Sequence, residues 1–230
     1  MNQRIIGAIA LCLTALLSLT ACTPVGHAVG DTQDKPSSIS HDSIHISDMS
    51  IGLVGSEDSA ADKLAIDALA DAGISVHYAS LGTTETTSES SPNTDQNSDG
   101  AAQSADQSAD QSNNQSTQQS AKQRAEDTTA QHAVEDFLTR PVSLLLISGI
   151  NVTDANRESW NQTLTDAREA GIPVALLNPR GLPDDDLLYA ATLTVNDRDA
   201  NATRIADAAM TIIRDEPHER TIAVSTVSSR

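Results

Sequence analysis

Cysteine is nearly absent: Cys12 and Cys22 are the only two in 230 residues, and both lie in the first tenth of the chain. Cys12 sits inside an apolar run, residues 5–19, that follows Arg4 and ends before Thr20-Ala21-Cys22. That run is shorter than the ~20 residues a membrane span requires, so residues 1–21 read as a signal peptide that is removed. The exported part then keeps one cysteine and no disulfide, and its stability has to come from a packed core. Basic charge is also scarce. Fourteen Lys and Arg face 32 Asp and Glu, a formal net charge of −18, which excludes nucleic acid and anionic lipid surfaces as partners. Catalytic signatures are missing as well. There is no Gly-x-Ser-x-Gly elbow, no phosphate-binding Walker loop, no Gly-x-Gly-x-x-Gly and no mature cysteine nucleophile. Among the histidines, His41 and His45 have a metal-like interval, but the sequence around them is not helical. "PDDD" at residues 183–186 lacks the alternating carboxylates of a calcium loop and reads as a solvated acidic turn. The expectation is a protein that is not an enzyme and holds no cofactor and no metal.

What is present begins with "LTAC", residues 19–22, which resembles the bacterial lipoprotein box. Small residues precede the cysteine, as signal cleavage requires, so Cys22 is expected to carry lipid and to anchor the protein on the extracytoplasmic face of the cell membrane. Residues 22–43, rich in Ser, Asp, Pro and Gly, read as a flexible tether. A low-complexity stretch at 83–120, with "SADQSADQS" and "NNQSTQQS", has too few apolar side chains to offset its ordering entropy and reads as a disordered insert.

The rest of residues 44–230 alternates between apolar runs and helical periodicity. Strands are expected around 49–54, in "ISVHYAS", "PVSLLLIS", "IPVALLNP" and "LLYAATLTV", and in "RTIAVSTV" near the end. Between them, Ala61, Leu64, Ala65, Ala68, Leu69 and Ala72 mark one helix, which Gly73 stops; Ala130, Val134, Phe137 and Leu138 mark a second, up to Arg140. Trp160, Leu164 and Ala167 mark a third, with Asp154 as its cap, and Ala202 to Ile213 a fourth opened by Asp197. Five alternations predict an α/β fold, a doubly wound parallel sheet with helices on both sides. Ligands of such sheets sit beyond the carboxyl ends of the strands. The loops there offer Ser56, Glu57, Asn151, Asn178 and Arg180, planar and hydroxyl groups suited to the paired hydrogen bonds of a polyol. Asn178 and Asn151 equally suit turn closure, and Ser56 or Glu57 a helix cap.

Residues 142–148, 167–177 and 189–196, with "QHAVEDFL" ahead of the third strand, resemble the type I periplasmic binding proteins, in particular the ribose- and galactofuranose-binding group of sugar ABC transporter lipoproteins. The resemblance spans 49–230 apart from the insert. It implies a single Rossmann-like lobe, the amino-terminal one of two, in which Ser56, Glu57, Asn151, Asn178 and Arg180 face a sugar, with an ABC transporter permease as partner. Two departures stand out. That family often has Asp-Arg after the fourth strand, where this chain has Asn178-Pro179-Arg180. Sugar sites also commonly stack an aromatic ring on the ligand, and Tyr78, Phe137, Trp160 and Tyr189 all fall outside the candidate loops. The implied function is solute binding for transport; the alternative is a surface lipoprotein that uses the lobe as a scaffold for protein contacts.

Overall fold

The computed structural model describes residues 26–32, 44–81 and 107–227, the side chains of 107–117 excepted. The signal peptide, Cys22 and residues 83–106 of the insert lie outside the described residues.

Strand β1 (Ser50–Val54) leads into helix α1 (Ser59–Asp71), then β2 (Ser75–Ala79). Helix α2 (Gln107–Leu138) precedes β3 (Leu144–Ser148), α3 (Arg157–Glu169) and β4 (Val174–Leu177). Then come β5 (Ala191–Val195), a two-residue β6 (Thr203–Arg204), α4 (Ile205–Ile213) and β7 (Thr221–Ser225). All seven strands pair in parallel, in the order β2-β1-β3-β4-β5-β7-β6. The doubly wound α/β sheet expected from the alternation is the fold observed.

Strand periodicity sorts the core into two layers. Ile51, Leu53, Leu144, Leu146, Ala175, Leu177, Ala191 and Leu193 point to the side of α1 and α4, where Ala65, Leu69, Ile205, Ala209 and Ile212 meet them. Val54, Leu145, Ile147, Val174 and Leu176 point the other way, onto Val134 and Phe137 of α2 and Trp160 and Leu164 of α3. β3 is buried along its whole length, as its unbroken apolar run predicts for a central parallel strand. Beyond β4 the α2 and α3 side of the sheet carries Thr192, Thr194 and Thr221 in place of large apolar residues.

Several local expectations are corrected. α1 turns Asp62, Ala65 and Leu69 inward, and Leu64 is 53% exposed, because Asp58 caps the helix by accepting from the Ala61 amide and so sets its rotation. α3 starts at Arg157. Asp154 is not its cap and pairs with the Arg157 guanidinium at 2.6 Å. Asp197 does not open α4; its carboxylate accepts from Ser225 Oγ, Thr226 N and Thr226 Oγ1, and so ties off the end of β7. α2 begins at Gln107, well before the apolar stripe that marked it and inside the 83–120 stretch. Finally, residues 26–32, part of the expected tether, pack against the domain, with Ala28 and Thr32 each 1% exposed.

Candidate functional site

β1 leads to β2 on one side of the sheet, while β3 lies on its other side, so a crevice opens between the carboxyl ends of β1 and β3. The loops after β1 and β3 approach closely there. Gly149 has φ +65°, and a Cβ on it would stand 2.9 Å from Ser56 Cβ. Only glycine allows both the left-handed backbone and that approach. The β3 and β4 loops are tied together as well: the Arg180 amide donates to Ile150 O at 2.7 Å, and Asn151 bridges Gly181.

Four of the five expected site residues, Ser56, Glu57, Asn151 and Arg180, line this one cleft. Arg180 Nη2 donates to Glu57 Oε2 at 3.0 Å, and its Nε reaches Gly149 O at 3.4 Å. Ser56 is committed to its own loop. Its amide and hydroxyl donate to Asp62 at 2.6 and 3.1 Å, and its oxygen accepts from Asp58 N. Asn178 stands apart from the cleft, at φ +45°, with its side-chain oxygen accepting from Val195 N at 2.8 Å. That is the turn-closing alternative, and it fixes the exit of β4 against β5.

Helix α2 supplies groups that the loop inventory missed. Lys122 Nζ donates to Glu57 Oε1 at 2.8 Å and lies 3.4 Å from Glu126. Hydrogen bonds from Lys122 and then Arg180 hold the Glu57 carboxyl below its ordinary range. Burial, and after it the charge of Glu57, push Glu126 up despite the nearby ammonium. Below them lies a closed polar layer. Asp127, 7% exposed, accepts from Trp160 Nε1 at 3.2 Å, Asn156 Nδ2 at 2.8 Å and Gln123 Nε2 at 3.2 Å. Asn156 also donates to Asn151 O at 2.9 Å and accepts from Thr153 N at 2.6 Å, so the β3 loop hangs from this layer. Trp160 forms part of the cleft wall at 1% exposure, which places an aromatic at the site from a helix and not from a loop. The signal for these residues was there as Lys122/Glu126 and Gln123/Asp127, two i,i+4 pairs that face one way on a helix.

The free volume of the cleft is about 30 Å³. Its chemistry is that of acceptors and donors for a polar guest, with no histidine or cysteine in its lining. Among the described residues no three His, Cys, Asp or Glu side chains gather as a metal set.

Compared with protein-family models and with curated proteins, the sequence has no significant match. Among solved structures the chain is similar to a galactofuranose-binding protein, at 15% identity and TM-score 0.39, over 76% of this chain and 56% of that one. It is also similar to the periplasmic binding protein component of the arabinose ABC transporter from Shewanella sp. ANA-3, bound to alpha and beta-L-arabinofuranose. There the identity is 13% and the TM-score 0.39, over 77% of this chain and 55% of the other. A Mycobacterium smegmatis protein in complex with beta-D-fucofuranose gives 13% and 0.40, over 77% and 54%. The chain thus spans about half the length of these structures. The doubly wound α/β class itself rests on the strand order.

Proposed function

We propose that this chain is a solute-binding protein whose cleft takes a small hydroxyl-rich solute, a sugar being the simplest member of that class. It would be held on the extracytoplasmic face of the cell membrane by lipid on Cys22 and would serve an ABC transporter permease. The observation that carries the reading is the convergence of Ser56, Glu57, Asn151 and Arg180 at the β1/β3 crevice, where parallel sheets bind ligands. Glu57 and Arg180 give an acceptor and a donor side by side, the pairing that neighbouring hydroxyls require. The sequence resemblance to sugar-binding lipoproteins supports the same class.

A cleft this open binds weakly. A ligand pocket normally buries most of a small ligand, whereas Arg180 and Glu57 are 51% and 37% exposed. Each sugar hydroxyl exchanges water for protein at a net gain of about 1 kcal/mol, and association entropy has to be offset as well. Isothermal titration of the chain with ribose, galactose, arabinose and glucose should give a Kd near or above ~1 mM, weakened further by Arg180→Ala. Micromolar binding would overturn the argument from exposure. Complete silence towards all four sugars would favour the second reading, a surface scaffold for protein contacts. The observation favouring that reading is that Glu57, Arg180 and Lys122 already satisfy one another across the cleft.

A further inference from the structure

Residues 26–32 lie at the amino ends of the strands, the opposite end from the cleft. Gly30, at φ +80°, threads a space in which a Cβ would stand 2.8 Å from Pro173 Cβ and 3.2 Å from Ile212. Thr32 Oγ1 donates to Glu216 O at 2.8 Å and accepts from His218 N at 3.1 Å. A ring nitrogen of His218 sits 2.8 Å from Gly30 O, and Arg220 Nη1 pairs with Asp31 Oδ2 at 3.0 Å. Arg168 Nη2 donates to His27 O. Arg168 of α3, Ile212 of α4, Pro173 ahead of β4, and Glu216, His218 and Arg220 on the approach to β7 therefore close over this segment.

We propose that residues 26–32 are a strap that fixes how the domain stands on a membrane, with the amino ends of the strands towards the bilayer and the cleft away from it. The proposal rests on the reading of Cys22 as the lipid anchor. Its physical basis is reach. Four residue steps separate Cys22 from Gly26, at most about 14 Å of extended chain. A domain of this size is roughly 40 Å across, so with the strap seated it cannot turn over. With the strap undone the leash runs from Cys22 to Ile44, 22 steps and up to ~75 Å, and the cleft can face any direction. Handing a solute to a permease in the same membrane then requires the strap to leave its seat, whereas capture from outside requires it to stay.

The test uses the full chain with Cys12→Ser, expressed with lipoprotein processing and placed in phosphatidylcholine vesicles that carry nitroxide-labelled headgroups. A fluorophore is attached at Glu219→Cys, at the strap end, or at Asp154→Cys, at the cleft end; both positions are exposed. Several-fold stronger quenching at 219 than at 154 is expected. Gly30→Val, which cannot keep the strap seated, should make the two equal, and Thr32→Ala should move them part of the way. Equal quenching in the parent chain overturns the strap. Flotation of the parent against Cys22→Ala reads the anchor separately, and a parent chain that does not float with vesicles sinks the anchor and the orientation with it. Hydrogen exchange then reads the docking alone: fast exchange at the Asp31 amide, which donates to Ala28 O, overturns that too.

Discussion

At the carboxyl ends of β1, β3 and β4, the Arg180–Glu57 pair is 51% and 37% exposed. At the amino ends, beside β5 and β7, the Arg220–Asp31 pair is 19% and 9% exposed. Both are arginine–carboxylate contacts of 3.0 Å, yet they do different work. An exposed pair gains little, under about 1 kcal/mol, because water screens it and each long side chain gives up rotamer freedom. A desolvated pair is hard to break, since the partner left behind is a buried charge without compensation. One end of the sheet therefore has charges that can change partners, and the other has charges that hold a segment in place. A binding cleft needs the first property and an anchoring strap the second.

The largest effect expected is at the strap end. Arg220 pairs with Asp31, stacks at 4.5 Å from the Tyr189 ring centroid and donates to the carbonyls of Asp186 and Tyr189. Arg220→Ala should cost about 3 kcal/mol, seen as a lower urea midpoint at unchanged slope. Adding Asp31→Asn to that variant should recover part of the loss, because the abandoned charge is removed too. A loss no greater than that of Arg180→Ala would erase the contrast between the ends.

Second in size is the layer beneath the cleft. Asp127→Ala strands the Trp160 Nε1 donor and one of the two Asn156 Nδ2 hydrogens, the other staying on Asn151 O, and should cost about 2 kcal/mol. It should also loosen the Asn151 loop, so hydrogen exchange at Val152, whose amide donates to Gly181 O, should quicken. This sharpens the comparison: the open end is open only at its rim. Stability unchanged by Asp127→Ala would mean that water replaces the carboxylate there and that the layer is not closed.

Much of this could be read from the residues. The strands follow from apolar runs whose burial needs no knowledge of distant contacts, and the cleft follows from where parallel strands end. Ser56, Glu57, Asn151 and Arg180, which that rule selects, line the cleft. The rule selects Asn178 too, although its amide is spent on Val195, because the sequence does not say which way a turn amide points. Lys122, Glu126 and Asp127 escaped because polar composition hides a helix whose inner face is satisfied by hydrogen bonds and not by apolar contact. Residues 26–32 escaped for a related reason. The seven residues Gly-His-Ala-Val-Gly-Asp-Thr carry no periodicity, and their burial depends on Glu216, His218 and Arg220 nearly two hundred residues away.

The smallest effect expected separates the two glutamates at the rim. Glu57 is held below its ordinary range by Lys122 and Arg180, so its favourable contribution is present above the unfolded-state value and fades as pH falls through the lowered one. Glu126 is pushed up by burial and by Glu57, so the folded state binds its proton more tightly than the unfolded chain does. Its contribution is present below the unfolded-state value and is lost as pH rises through the raised one. The two slopes oppose each other, and the cluster as a whole should change stability little with pH. Glu126→Gln removes one of them. The variant should gain on the parent as pH rises from 4 to 7, by less than about 1 kcal/mol, since the cluster is at the surface. Urea midpoints at the two pH values measure this, and the Glu126 side-chain carbonyl shift in a carbon-13 titration reports the direction independently. If Glu126 titrated below the ordinary carboxylate range and Glu126→Gln lost stability at pH 7, the Lys122 contact would outweigh burial. The rim would then be tied as tightly as the strap.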